Sequence, residues 1–219
     1  ILKYLLIIIL LVVSFAFLWR IDFTSYLLTN DNYSPELNTG LSINRYISSP
    51  ALREYRSLGV VSDSEQADIF RVILFFVFDI VLPKSTLSSI YILICFSSSI
   101  VFIYKLLRYI FQREENTFYI SILGSIIYIT TLFTPWIFNF PVMPFVTYFG
   151  FLPLFTYLFV RVSVELNTRN LFLFLISIIL LTSSFVISTL FFVTVIIILC
   201  LSLFIVLLTF RSGIRKSVY

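Results

Sequence analysis

LFLFLISIILLTSSFVISTLFFVTVIIILCLSLFIVLLTF, residues 171–210, is an almost unbroken apolar run. It is about 40 residues long, twice the roughly 20 residues of helix that cross the hydrocarbon core of a bilayer. The run must therefore fold back on itself, and the polar patch 182–184, with Ser188 and Thr189 after it, is the predicted turn. Two membrane-spanning helices are expected here, Leu171–Val186 and Thr189–Phe210.

The composition of the whole chain agrees with this interpretation. Of its 219 residues 60% are hydrophobic, the mean hydropathy is +1.06 and only 12% are charged, against roughly 25% in soluble proteins. The fold class predicted is an all-α polytopic membrane protein. The net charge of +4 fits cytoplasmic loops that retain Lys and Arg, so no nucleic-acid partner is expected. Cys95 and Cys200 lie in apolar segments and are predicted to be buried thiols.

Six segments have the length and hydropathy of membrane-spanning helices. They are Ile1–Trp19, Thr86–Tyr104, Thr117–Pro135, Pro144–Val160, Leu171–Val186 and Thr189–Phe210. The chain is thus divided into a first helix (1–20), a long loop (21–85), five further spans in short-loop hairpins (86–211) and a basic end (212–219).

The positions of the basic residues predict the orientation of these spans. With a cytoplasmic N-terminus, one set of helix ends and short loops carries nearly all the Lys and Arg outside the long loop, as the positive-inside rule requires. These residues are Lys3, Lys105, Arg108, Arg113, Arg161, Arg169, Arg211, Arg215 and Lys216. We therefore expect an integral protein of the plasma membrane, with both termini cytoplasmic and residues 21–85 outside.

The long loop holds most of the acidic chemistry of the chain, and it is predicted to be partly helical. Eight of the 11 acidic residues lie in it, namely Asp22, Asp31, Glu36, Glu54, Asp63, Glu65, Asp68 and Asp79. Pro50 at a first helical position predicts a short helix, 50–58. A capping box, Ser62 with Glu65, predicts the start of an amphipathic helix, 63–82. We expect that helix to lie at the outer surface with its polar stripe facing protein or water.

Asp22 is the sharpest catalytic candidate, with Asp31 as a second. Asp22 follows Trp19 by three residues, where the first helix leaves the membrane. A carboxylate at headgroup level can meet a lipid-linked substrate, and partial desolvation raises its pKa toward that of a general base. The alternative is that Asp22 pairs with Arg20 or caps a turn, as surface aspartates usually do.

Two further groups of loop residues have a chemical and a structural interpretation each. Asp63, Glu65 and Asp68 could hold a divalent metal, Mg²⁺ or Mn²⁺, but acidic residues in the first turn of a helix favour the capping interpretation. The basic residues could clamp a lipid phosphate, or they could anchor the loop at the interface or pair with the nearby acids. They are Arg45, Arg53, Arg56, Arg71 and Lys84.

The organisation of the chain resembles the N-terminal membrane module of GT-C glycosyltransferases, in particular arabinofuranosyltransferase-like multispan proteins. The stretches that carry the resemblance are 22–25 (DFTS), 33–40 (YSPELNTG), 67–82 and 127–128 leading to 135–136. The resemblance implies a polyprenyl-phosphate sugar donor, transfer with inversion on the outer face, and Asp22 as the counterpart of the first-loop catalytic base.

A non-catalytic multispan subunit or scaffold of a larger complex, with partner subunits, is the alternative function. A transporter is less favoured, since transporters usually place ionisable residues inside their spans. The clear spans of this chain contain no acidic residue, and their basic residues lie at the ends.

Overall fold

The computed structural model describes residues 2–19, 38–40, 43–44, 52–53, 60–61, 69–112, 114–131, 143–187 and 189–216. These residues form seven α-helices and one pair of two-residue strands. The helices are α1 (Leu2–Leu18), α2 (Ile69–Asp79), α3 (Lys84–Ile110), α4 (Thr117–Thr130), α5 (Met143–Val164), α6 (Thr168–Ile187) and α7 (Thr189–Lys216); the strands are β1 (Leu52–Arg53) and β2 (Val60–Val61). The helical fold class is confirmed.

Each of the six predicted spans coincides with one helix, but not all of these helices are long and apolar enough to cross a membrane. Two of the described helices, α3 with 27 residues and α5 with 22, are long and apolar enough to cross a membrane. The apolar stretches of α1, α4, α6 and α7 are shorter, between 10 and 17 residues.

Side-chain contacts show that α3 to α7 alternate in direction. Tyr128 of α4 reaches the carbonyl of Phe149 on α5, and Ser184 near the end of α6 donates to the carbonyl of Pro144 at the start of α5. The ring of Phe191 on α7 stacks on that of Tyr148. Helix α5 therefore lies at the centre of the bundle, and its neighbours in sequence run antiparallel to it.

The contact between α3 and α5 depends on Gly150. A Cβ atom at this position would lie 2.5 Å from the Cβ of Cys95 and 2.7 Å from its Cα, so the two backbones pack against each other with no side chain between them. The hydroxyl of Thr147 donates to the carbonyl of Met143, and the buried Tyr91 hydroxyl, 2.7 Å away, donates to Thr147. Small residues commonly allow such close helix packing. Cys95 is buried as predicted, whereas Cys200 is exposed.

Replacing Gly150 with Ala is expected to destabilise the bundle by about 3 kcal/mol, the upper end of the range for overpacking a core, because the clash is with backbone atoms of Cys95. Thermal unfolding followed by circular dichroism in detergent measures the effect. Gly40→Ala is the matched control, since the nearest atom to its added Cβ is 3.9 Å away. Equal melting temperatures for the two variants would contradict the assigned contact.

Pro153 interrupts the hydrogen bonding of α5, and a side chain from α4 compensates. Proline has no N–H, so the carbonyl four residues earlier loses its usual helical donor. That carbonyl belongs to Phe149, and the Tyr128 hydroxyl donates to it at 2.9 Å. The Tyr128 ring also stacks on the Phe149 ring, with centroids 4.6 Å apart and planes inclined by 22°. One residue of α4 thus supplies both packing and the missing donor.

Tyr128→Phe is therefore expected to cost about 1–3 kcal/mol, the range for removing a partner from a buried polar group. Pro153→Ala returns an amide N–H to the Phe149 carbonyl, so Tyr128→Phe should cost clearly less in that background. A double-mutant cycle of unfolding free energies measures the coupling. Strict additivity would show that the phenol does not serve the carbonyl left by proline.

Two sequence predictions need correction. The helix predicted over 50–58 is wrong at Leu52 and Arg53, which pair antiparallel with Val61 and Val60, because the β-branched valines favour extended structure. The amphipathic helix ends at Asp79 rather than at 82, and Leu82, directly before Pro83, is disfavoured in the α conformation; residues 63–68 lie outside the described part. Within the predicted turn patch, residues 182–184 are helical, and the two helices separate at its later part: α6 ends at Ile187 and α7 begins at Thr189.

Candidate functional site

The carboxylate of Asp79 joins residue Thr39 of the long loop to the turn between α2 and α3. It accepts a hydrogen bond of 2.6 Å from the hydroxyl of Thr39 and lies 3.8 Å from the ammonium of Lys84. Asp79 is at the C-terminal end of α2, where the helix dipole disfavours an anion. The nearby N-terminus of α3, Lys84 and Thr39 all offset that cost. Thr39 is only 4% exposed, so this residue of the loop is packed against the protein beside Asp79.

Helix α2 turns its Arg71 towards the protein. Arg71 is 4% exposed, next to the fully buried Val72 and Phe75. Its guanidinium carbon lies 5.9 Å from the Phe75 ring centroid, and that ring meets the ring of Tyr91 on α3 edge-on at 5.8 Å. Of the predicted polar stripe, Arg71 therefore faces protein. The other face of α2 exposes apolar side chains, Ile73, Phe76 and Val77.

The described residues include only part of the predicted site. Arg71 and Lys84 are placed: Arg71 is buried on α2, about two helical turns before Asp79, and Lys84 pairs with Asp79. Arg53 is described only by its backbone, in β1. The remaining candidates, namely Asp22, Asp31, Arg45, Arg56, Asp63, Glu65 and Asp68, lie outside the described residues. Among those described, no three His, Cys, Asp or Glu residues come together as metal ligands.

A cavity of about 810 Å³ opens at the opposite end of the bundle, where α1, α4 and α6 begin and α3 and α5 end. Three cations line it: Lys3 from α1 and Lys105 and Arg108 from α3. Half-buried aromatic side chains form much of the remaining wall, those of Tyr104, Tyr109, Tyr157 and Phe118. We call this feature the basic cavity.

Tyr109 and Glu165 join α3 to α5 beside the basic cavity. The Tyr109 hydroxyl donates to the Glu165 carboxylate at 3.3 Å, and the Tyr109 and Tyr157 rings meet edge-on with centroids 6.2 Å apart. Glu165 also lies 3.8 Å from Arg161, one helical turn earlier. The carboxylate of Glu165 therefore has both Tyr109 and Arg161 as partners.

Sequence reasoning used Lys3, Lys105 and Arg108 to orient the chain but did not find the basic cavity. The signal available was local: Lys105 and Arg108 are three residues apart on one face of a helix, flanked by Tyr104 and Tyr109. The contribution of Lys3 from α1 depends on the tertiary contact between α1 and α4. Its ammonium lies 4.8 Å from the Phe118 ring centroid.

Comparisons with known proteins add no relative, since no family model, no curated protein and no solved structure matches the chain.

The two partners of Asp79 are expected to differ in their contribution to stability. Thr39→Val removes a short, partly buried hydrogen bond to a charged group and should cost about 1.5–3 kcal/mol. Lys84→Gln removes an ion pair whose lysine is 44% exposed, and exposed pairs contribute about 0–1 kcal/mol. Urea unfolding of the two variants makes the comparison. A larger loss for Lys84→Gln would refute the assigned order.

Proposed function

We propose that this chain is an integral membrane protein whose long loop forms the outer surface of a polyprenyl-phosphate-dependent glycosyltransferase, or of the N-terminal part of one. The observation that carries the membrane placement is the exposure of large apolar side chains along α1, α6 and α7. Leu11 is 62% exposed, Phe172 63% and Phe204 59%. Exposed apolar surface on this scale is typical of contact with lipid or with a partner rather than with water.

The distribution of charge supports the same placement. Outside α2, the charged residues of each described helix lie near one of its ends. Because α3 to α7 alternate in direction and Lys3 of α1 lies beside the start of α4, the cations gather at the end where the basic cavity lies. Lys84 is the exception at the other end. This asymmetry favours the orientation with the basic end in the cytoplasm and six spans in the bilayer.

Polar residues within the helices also suit a bilayer. The hydroxyls of Ser14, Ser121, Ser125, Thr147 and Thr156 each donate to the carbonyl four residues earlier in the same helix. A hydroxyl satisfied within its own helix requires no water, so it adds little cost to an apolar environment.

The proposed reaction uses the acidic and basic chemistry of the loop. An acceptor hydroxyl attacks the anomeric carbon of the donor sugar and gives its proton to Asp22. The bond from that carbon to the phosphate oxygen breaks with inversion, and its electron pair leaves with the polyprenyl phosphate. A general base typically contributes 10²–10⁴-fold to such a rate, and cations of the loop neutralise the leaving phosphate.

The Thr39–Asp79–Lys84 contact supports an ordered outer surface rather than a loose tether. It holds loop residue Thr39 against the turn between α2 and α3. The resemblance to GT-C enzymes concerns the same region, since Thr39 and Gly40 end one of the stretches that carry it. The glycosyltransferase proposal combines this anchoring with the acidic composition of residues 21–85.

Asp22→Asn is expected to lower sugar transfer from a polyprenyl-phosphate donor by about 10²–10⁴-fold. The measurement is transfer of labelled sugar in membranes that contain the variant, and resistance to alkaline carbonate extraction shows that the protein is still inserted. Glu36→Gln is the matched control, a charge loss in the same loop. Unchanged turnover for Asp22→Asn would exclude the assigned base, while extraction of the wild-type chain by carbonate would exclude the membrane placement.

A non-catalytic subunit or scaffold is the second candidate, and the packing of the bundle favours it. Towards the end where Lys84 lies, the interior between α3 and α5 is filled by the buried side chains of Tyr91, Thr147 and Val146 together with Phe75 of α2. A scaffold would retain its binding partners and its insertion in the Asp22→Asn variant, and the wild-type membranes would show no transfer.

A further inference from the structure

The basic cavity has the size and the lining of a ligand site. Its volume of about 810 Å³ falls within the range of roughly 300–1,000 Å³ typical of small-molecule sites. Lys105 and Arg108 are exposed at its wall, whereas Tyr104, Tyr109 and Tyr157 are half-buried. The cavity therefore offers cationic groups next to aromatic surface that carries hydroxyl groups.

The charge of the wall is positive. Among its lining residues three are cations, Lys3, Lys105 and Arg108, and one is an anion, Glu114, so the net charge is 3 − 1 = +2. Within the described part of the chain none of the three cations forms an ion pair. Lys3 and Lys105 lie instead near aromatic rings, 4.8 Å from the centroid of Phe118 and 5.0 Å from that of Phe102. These cations can therefore bind an anion without first breaking an ion pair.

The position of the cavity along α3 indicates which class of anion would reach it. The apolar part of this helix runs up to Tyr104, and Lys105 and Arg108 follow within one turn. In the proposed membrane placement this is the level of the lipid headgroups on the cytoplasmic face, where basic pockets between helices bind anionic lipids. The guanidinium of Arg108 suits a phosphate, since its N–H groups donate to two oxygens at once. The aromatic wall fits the less polar part of a lipid.

We infer that the basic cavity binds the phosphate of an anionic lipid headgroup, through Lys3, Lys105 and Arg108. The cavity lies at the opposite end of α3 from Lys84 and its partner Asp79, whereas sugar transfer is proposed for the long loop, so the two proposed sites are distinct. The inference rests on the membrane placement and not on the glycosyltransferase reaction. Lipid binding and sugar transfer can therefore succeed or fail independently.

Nanodiscs containing the full chain test the inference. The probe is phosphatidylglycerol in a background of phosphatidylcholine, and native mass spectrometry measures the lipid that remains bound after release from the disc. The double variant Lys105→Gln with Arg108→Gln should bind phosphatidylglycerol about thirtyfold more weakly than wild type, because each cation near a membrane surface contributes about a fivefold factor. Retention of phosphatidylcholine should not change.

The matched control is Arg161→Gln with Arg169→Gln, which removes the same charge at the same end of the bundle but outside the cavity lining. An equal loss in this control would overturn the inference in favour of diffuse electrostatic attraction. Equal retention of the two lipids by the wild-type chain would also overturn it, without any variant. Soluble glycerol 3-phosphate distinguishes the source of the phosphate: displacement of the lipid at matched concentration would assign the cavity to a free phosphate ester instead.

Discussion

The rest of the bundle depends on the direct contact between the backbones of α3 and α5 at Gly150 and Cys95. Because no side chain separates the two helices there, the distance and register between them are tightly constrained. The Tyr91 to Thr147 hydrogen bond and the seat of Phe75 against Tyr91 follow from that register. Helix α5 then serves as the surface on which α4, α6 and α7 pack.

The helices could be predicted from the sequence because apolar length is a local property. Each predicted span coincides with a helix of the structure, and even the break in the longest apolar run falls close to the serines that suggested it. The helix ends were predicted less well. Helix α3 continues from Tyr104 to Ile110, since Lys, Leu and Arg favour the helix, so the end of the apolar stretch is not the end of the helix.

Features made by residues distant in sequence could not be predicted in the same way. The strand pairing of Leu52 with Val61 replaced a helix that Pro50 suggested, and a local start signal contains no information about such a partner. The basic cavity combines residues from four helices, and in the sequence only Lys105 and Arg108 of its cations lie close together. Arg71 illustrates the intermediate case: helical periodicity placed it on a polar stripe, and the packing of α2 decides that Arg71 faces protein.

The bond from Tyr128 to the Phe149 carbonyl also has a consequence for assembly. During synthesis the N-terminal segments leave the ribosome first, so the phenol of α4 is already in place when α5 emerges with its proline. The hydroxyl that replaces the missing N–H of α5 is thus synthesised before α5 itself. Helix α5 can therefore enter an apolar environment without leaving the Phe149 carbonyl unpaired. Reversing the order of these two helices in the gene, with every contact kept, would remove that advantage.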